Sequence, residues 1–370
     1  MMKPGLFYYL LERYAYLATL LYFRRLKINN LKHVPKDGPL IFVPNHQNAF
    51  MDAIVTTVVS PRNPWFLTRA SVFGSATARY WLNLMQMIPI YRFRDGLQNV
   101  KKNDETMEIS LKILSEDGTI LIFAEGNHDY RWSLRPLQKG LARMAFAFES
   151  PSGFSNGLRI VPVGLQYENH NQFRSDLLIN FGEPIHVADY KEIYQSDPIK
   201  ATTALLNDVC QNLGSLIINI SDIERHDKIK SAIKSRVGRE NDLLKRLQGD
   251  KLFLQGEKLI VKKTKKANLL LNLLLAIAGF PVFVYGAVNN LIIYLIIKYI
   301  MNKFIKDAHW TSSIKFAGMI LISPIIYVLQ TMLIWLFFHN WIIAVVYLIS
   351  LPVSAVLAAD YFHKILKNKE

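Results

Sequence analysis

Cysteine is almost missing. Cys210 is the single one in 370 residues, which excludes an intramolecular disulfide framework and suits a reducing compartment. Acidic residues are also in short supply: 29 Asp and Glu stand against 44 Lys and Arg, a formal net charge of +15. An excess of this kind calls for an anionic partner, usually nucleic acid or a membrane surface. The chain has no internal repeat. It opens on no typical signal peptide, because Glu12 and Arg13 interrupt what would be its apolar region. Finally, charge itself is absent from residues 267–297, 316–338 and 340–359. With 51% hydrophobic residues overall, those spans fit a bilayer better than a nucleic-acid groove. Membrane lipids are therefore the expected partner, and nucleic acid is not.

What is present divides in order along the chain. Residues 4–26 mix aromatic and aliphatic side chains with Glu12, Arg13, Arg24 and Arg25. They read as an amphipathic helix that lies in the membrane interface or packs on the protein's own core. The apolar runs 39–44, 65–68, 87–91, 119–124, 159–164 and 177–181 are strand candidates. Between them, 53–59, 97–116 and 138–148 read as helical, although 53–59 could instead be another buried segment. The alternation implies an α/β layer architecture. Residues 197–256 are helical and highly charged.

After Lys262-Lys263-Thr264-Lys265-Lys266 the uncharged segments begin. A straight helix over 267–297 would span about 45 Å against about 30 Å of hydrocarbon. With Gly279, Pro281, Gly286, Asn289 and Asn290 as break points, a bent hairpin is expected there. Segments 316–338 and 340–359 would form a second hairpin joined at His339-Asn340. Basic residues at 262–266, at 298–315 and at Lys364, Lys367 and Lys369 put all three junctions on the cytoplasmic side by the positive-inside rule. The expected divisions are a membrane-interface helix over 1–30, an α/β domain over 31–195, a charged helical segment over 196–262 and transmembrane hairpins over 263–370.

Within the α/β part, His46 follows one apolar run and precedes Asp52 by six positions. A histidine at a strand-to-helix turn with a carboxylate nearby suits a general base oriented by a partner. Three further blocks follow: Ile88-Pro89-Ile90-Tyr91-Arg92; Phe123-Ala124-Glu125-Gly126 with Arg135-Pro136-Leu137-Gln138-Lys139-Gly140; and Ile160-Val161-Pro162-Val163. Taken in this order with Asn45-His46, they resemble the glycerolipid acyltransferase superfamily over roughly residues 30–190.

The resemblance implies an α/β acyltransferase domain, with a mixed central sheet flanked by helices, ahead of the transmembrane region. It also implies transfer of a fatty acyl group from a thioester to a hydroxyl of glycerol-3-phosphate or a lysophospholipid such as 1-acylglycerol-3-phosphate. No cofactor is implied; acyl-CoA or acyl carrier protein is the co-substrate. His46 and Asp52 would be catalytic. Arg92, Glu125, Gly126, Arg131, Arg135 and Lys139 would bind the acceptor and its phosphate, and Asn45, Pro89 and Pro162 would shape the motifs.

Two departures stand out. Five residues separate His46 from Asp52 where the familiar motif has four, a spacing shared with a branch resembling eukaryotic glycerol-3-phosphate and dihydroxyacetone-phosphate acyltransferases. Six positions are about 240° round a helix, so His46 must sit in the turn before the helix unless the helix bulges. Also, Asn127-His128 replaces the usual Thr-Arg, which leaves an aminolipid acceptor open and shifts anion binding to Arg131 or Arg135. A reading from another class is a two-metal phosphoesterase, because Gly126-Asn127-His128-Asp129 matches one of its signatures. Its companion motifs are absent: the only Asp-x-His is Asp307-Ala308-His309, far downstream.

Overall fold

Leu40–Pro44 is apolar throughout, and all five residues are buried, as befits a strand covered on both faces. In the computed structural model, which describes residues 5–91, 103–256, 269–305, 307 and 310–366, this strand lies at the centre of an eight-stranded sheet. The strands are β1 (Arg25–Asn29), β2 (Leu40–Pro44), β3 (Trp65–Arg69), β4 (Met87–Ile90), β5 (Thr119–Leu121), β6 (Arg159–Tyr167), β7 (Asp176–Phe181) and β8 (Ile185–His186). Their order is β1-β7-β6-β2-β5-β3-β4, with β8 paired to β6. β2 runs parallel to both β5 and β6, while β6 and β8 are antiparallel, so the sheet is mixed.

The helices are α1 (Leu6–Tyr22), α2 (Ala49–Val59), α3 (Ala76–Leu84), α4 (Asn103–Ser115), α5 (Gly140–Glu149), α6 (Lys191–Ser196), α7 (Pro198–Leu216), α8 (His226–Ser235), α9 (Leu243–Leu254), α10 (Leu269–Phe304), α11 (Thr311–Phe338) and α12 (Trp341–Tyr361). One face of the sheet (Ile41, Val43, Ile120, Ile160) forms a common core with α4, α5 and α7. In α7 the buried residues Ala201, Leu205, Val209 and Leu213 recur every four positions, the spacing of a single helical stripe. The segment expected to be charged and helical therefore supplies core to the α/β domain. The sheet also starts earlier than expected, since Arg25–Asn29 is a strand, and 53–59 is the end of a helix.

The chain divides into two compact units. The first comprises Met1–Tyr16, Lys27–Gln166 and Leu177–Leu259 and holds most of the sheet. The second comprises Leu17–Leu26, Tyr167–Asp176 and Ile260–Glu370. In the second unit, Ala276–Phe304, Thr311–Phe338 and Trp341–Leu366 are long and apolar enough to cross a membrane. Large apolar side chains such as Phe337 (80% exposed) and Trp341 (68% exposed) project outward from them, a surface that a lipid phase covers.

The hairpin expected over 267–297 does not form: Leu269–Phe304 is one helix with Pro281 inside it. The supposed break points are packing points. A Cβ on Gly286 would collide with the Ser354 carbonyl oxygen, and one on Gly279 would lie 2.9 Å from the Tyr361 ring, so glycine allows close helix approach. Asn289 Oδ1 accepts from Tyr347 Oη (2.5 Å) and Asn290 Oδ1 from Tyr327 Oη (2.6 Å). Both amides also donate back to carbonyls of α10 itself.

Candidate active site

β2 delivers the chain into the turn Asn45–Asn48, and α2 starts at Ala49. Asn45 is buried and ties this turn to β6: its Nδ2 donates to Leu165 O (3.1 Å) and its Oδ1 accepts from Leu165 N (2.6 Å). Ala49 has φ 43°, a left-handed bend that absorbs the extra residue of the spacing. His46 thus lies in the turn and Asp52 in the first turn of α2.

The Asp52 carboxylate is wholly buried, and its Oδ2 accepts from Gln47 N (2.8 Å) and Asn48 N (2.7 Å) and meets His46 Nδ1 at 2.9 Å. Since a carboxylate oxygen there accepts, Nδ1 carries the imidazole proton and Nε2 keeps its lone pair. The helix N-terminus favours the negative charge. The imidazole is 12% exposed and stacks on Phe123 with ring centroids 3.9 Å apart at 16°. A ring face beneath the imidazole fixes its plane. His128 meets it edge-on at 5.4 Å. Neither ring contact was anticipated, as nothing local in the sequence assigns Phe123 a role.

Glu125 follows β5 as His46 follows β2, and parallel neighbours bring both to one end of the sheet. Its Oε1 accepts from His46 N (2.6 Å), and its Oε2 accepts from Arg135 N (3.1 Å) and Nε (2.9 Å). Burial pushes the Glu125 carboxyl above the usual glutamate range, against the opposing pull of Arg135 and the His46 N–H. Arg135 Nη2 also donates to His46 O (3.0 Å) and to Asn127 O. Glu125 and Arg135 thus form a brace on the backbone of His46. Gly126 adopts φ 74°, open to glycine at little cost, and Gln138 N donates to Ala124 O across this turn (2.7 Å).

Arg131 pairs with Asp129 through Nε (2.9 Å) and Nη2 (2.5 Å). Burial works against the Asp129 charge, but the Arg131 bonds outweigh it and hold the carboxyl below its ordinary value. Lys139 is exposed at the start of α5. Pro89 lies in β4, where its carbonyl accepts from Thr106 Oγ1, and the Pro162 carbonyl in β6 accepts from Gly182 N. Arg92 lies outside the described residues. Cys210 is half-buried, and burial together with the Glu125 charge pushes its thiol up, away from the thiolate a nucleophile needs. Among the described residues no three His, Cys, Asp or Glu side chains gather as a metal site.

Residues 25–166 match the family model described as Acyltransferase. The chain is 33% identical over 131 residues to glycerol-3-phosphate O-acyltransferase 2 of Saccharomyces cerevisiae, covering 35% of this chain and 18% of that protein. It is 32% identical over 114 residues to glycerol-3-phosphate O-acyltransferase 1 of the same yeast, covering 30% and 15%. The chain therefore spans less than a fifth of the length of these curated relatives. The crystal structure of the 1-acyl-sn-glycerophosphate acyltransferase from Thermotoga maritima matches with a TM-score of 0.40 at 14% identity, over 62% of this chain and 80% of that one. The family match begins at β1 and ends in β6, and so encloses His46, Asp52, Glu125 and Arg135; over this segment, less than half of the chain, the protein is similar to acyltransferases.

Proposed function

We propose that this protein is a membrane-bound O-acyltransferase. It moves a fatty acyl group from acyl-CoA or acyl carrier protein to a hydroxyl of glycerol-3-phosphate or of a lysophospholipid such as 1-acylglycerol-3-phosphate, in phospholipid biosynthesis. The observation that carries the reading is the buried Asp52 carboxylate 2.9 Å from His46 Nδ1, which leaves Nε2 as the basic atom. Nε2 takes the acceptor's hydroxyl proton as the oxygen attacks the thioester carbonyl. The tetrahedral intermediate then expels the thiolate, which takes that proton back from the imidazolium. A thioester is already activated, so no acyl-enzyme is required. Arg92, Arg131, Arg135 and Lys139 are the proposed source of positive charge for the acceptor's phosphate, and α1 is proposed to lie in the membrane interface. The base is proposed to face the cytoplasm, where acyl thioesters are made.

The test is product analysis by mass spectrometry from purified protein, a long-chain acyl thioester and a panel of acceptors that includes an aminolipid. His46→Ala should lower turnover by about 10²–10⁴-fold, the usual worth of a general base. Near-normal turnover in a folded His46→Ala protein would exclude this base.

A further inference from the structure

We infer that the acceptor's polar head is held in a pocket of which only half belongs to the acyltransferase segment, the other wall being residues 219–223. The inference rests on the acyl-transfer reading above and extends it to the binding of one substrate. The cavity measures about 340 Å³, with Arg131, Ser133 and Arg135 on one wall and Asn219, Ser221 and Ile223 on the other. That volume is at the lower end for small-molecule sites, roughly 300–1,000 Å³, and suits a head group rather than an acyl chain.

The pocket adjoins the base. Asp129, which also lines it, donates its backbone N–H to His46 O (3.1 Å), and Arg135 Nη2 donates to the same oxygen (3.0 Å). The second wall is fastened to the first along its backbone. Trp132 has no exposed surface, its N–H donates to His226 Nε2 (2.9 Å), and its carbonyl accepts from Ile220 N (2.7 Å). Leu134 N donates to Asn219 Oδ1 (2.9 Å), and Lys230 Nζ donates to Tyr130 O (3.3 Å) while lying 5.0 Å over the Trp132 ring. Residues 219–230 lie beyond the family match, which ends at 166.

The chemistry of the lining selects the ligand. A guanidinium has five N–H donors, and Arg131, 45% exposed, gives Asp129 side-chain bonds from only Nε and Nη2. Its remaining donors suit a phosphate oxygen, and the Ser133, Ser221 and Asn219 side chains suit glycerol hydroxyls. The ligand class is a phosphorylated glycerol head, either as the free glycerol phosphate or as the head of a lysolipid.

Ser221 is exposed, so both signs of charge can be placed there without loading the core. Binding of glycerol-3-phosphate and of a lysophosphatidate, without donor, would be measured by calorimetry on the full chain in nanodiscs. Ser221→Asp should weaken binding roughly tenfold by placing like charge against the ligand, and Ser221→Lys should preserve or tighten it. Weakening confined to one ligand supports the pocket and identifies its source. Equal weakening by both variants, no change with either, or no binding by the wild type overturns the inference. Because no turnover is required, a wild-type protein that binds but transfers no acyl group would sink the proposed reaction and leave the pocket standing.

Discussion

At the scale of residues, the His46–Asp52 pair was legible and its support was not. A histidine in a strand-to-helix turn and a carboxylate six positions on identify His46 and Asp52, because strand ends and helix starts have local signals. Arg135, expected as an anion-binding residue, also braces Glu125 and the His46 carbonyl, a pairing across ten positions and a turn that no local pattern encodes. Removing Arg135 leaves a carboxylate only 2% exposed without its counter-charge, so Arg135→Ala should cost about 3 kcal/mol at neutral pH. The sign with pH follows from the direction of the Glu125 shift. A carboxyl raised above its unfolded value favours the protonated folded form, so its contribution is full below the ordinary glutamate range and lost as pH rises through the folded value. The deficit of Arg135→Ala should therefore grow from acid to neutral pH. Melting of wild type and variant from mildly acid to neutral pH checks this; a pH-independent gap would refute the charge argument.

At the scale of elements, the sequence revealed what is apolar and periodic. Buried strands β2, β4 and β6 and helices α5 and α7 follow from period and composition. Strand β1 was missed because Arg-Leu-Lys-Ile-Asn mixes charges into an edge strand, and its stabilising partner is remote: Arg25 Nε donates to Asp176 Oδ1 at 2.9 Å. Helix α3 was missed for want of a buried stripe, although Ser75 caps it through the Ala78 N–H (3.1 Å). The opposite error occurred in α10, where glycines and asparagines that read as breaks are contacts with other helices. Gly286→Leu should force α10 and α12 apart and lower stability by about 1–3 kcal/mol, the usual cost of overpacking. The readout is a fall in melting temperature in nanodiscs, and an unchanged value would mean that the two helices do not meet there.

At the scale of the molecule, contacts inside the second unit bear on how the chain threads the bilayer. Ser312 Oγ donates to His170 O (2.6 Å) and Lys315 Nζ to Asn171 O (2.7 Å), while Arg174 pairs with Asp360 (3.0 Å). One short loop thus holds the start of α11 and the end of α12, placing those ends on one face and His339–Asn340 on the other. Helix α10 is about 54 Å long, with 36 residues, and would make a third crossing if it ran alongside. Its contacts argue otherwise. Tyr361 Oη, at the loop-side end of α12, donates to Ala276 O near one end of α10 (2.8 Å). Phe304, at the other end, is joined by a short link to the start of α11, and only the middle of α10 reaches Tyr327 and Tyr347. Both ends of α10 then face the loop side, the side of Lys298 and Lys303, even though the expected hairpin is absent. In a Cys210→Ser background, single cysteines at Asn171 and Lys303 should resist a membrane-impermeant thiol reagent in intact cells and react once the cells are opened. A cysteine at His339 should react from outside. Labelling of the Lys303 position from outside would make α10 a full crossing, and protection of the His339 position would remove the α11–α12 hairpin.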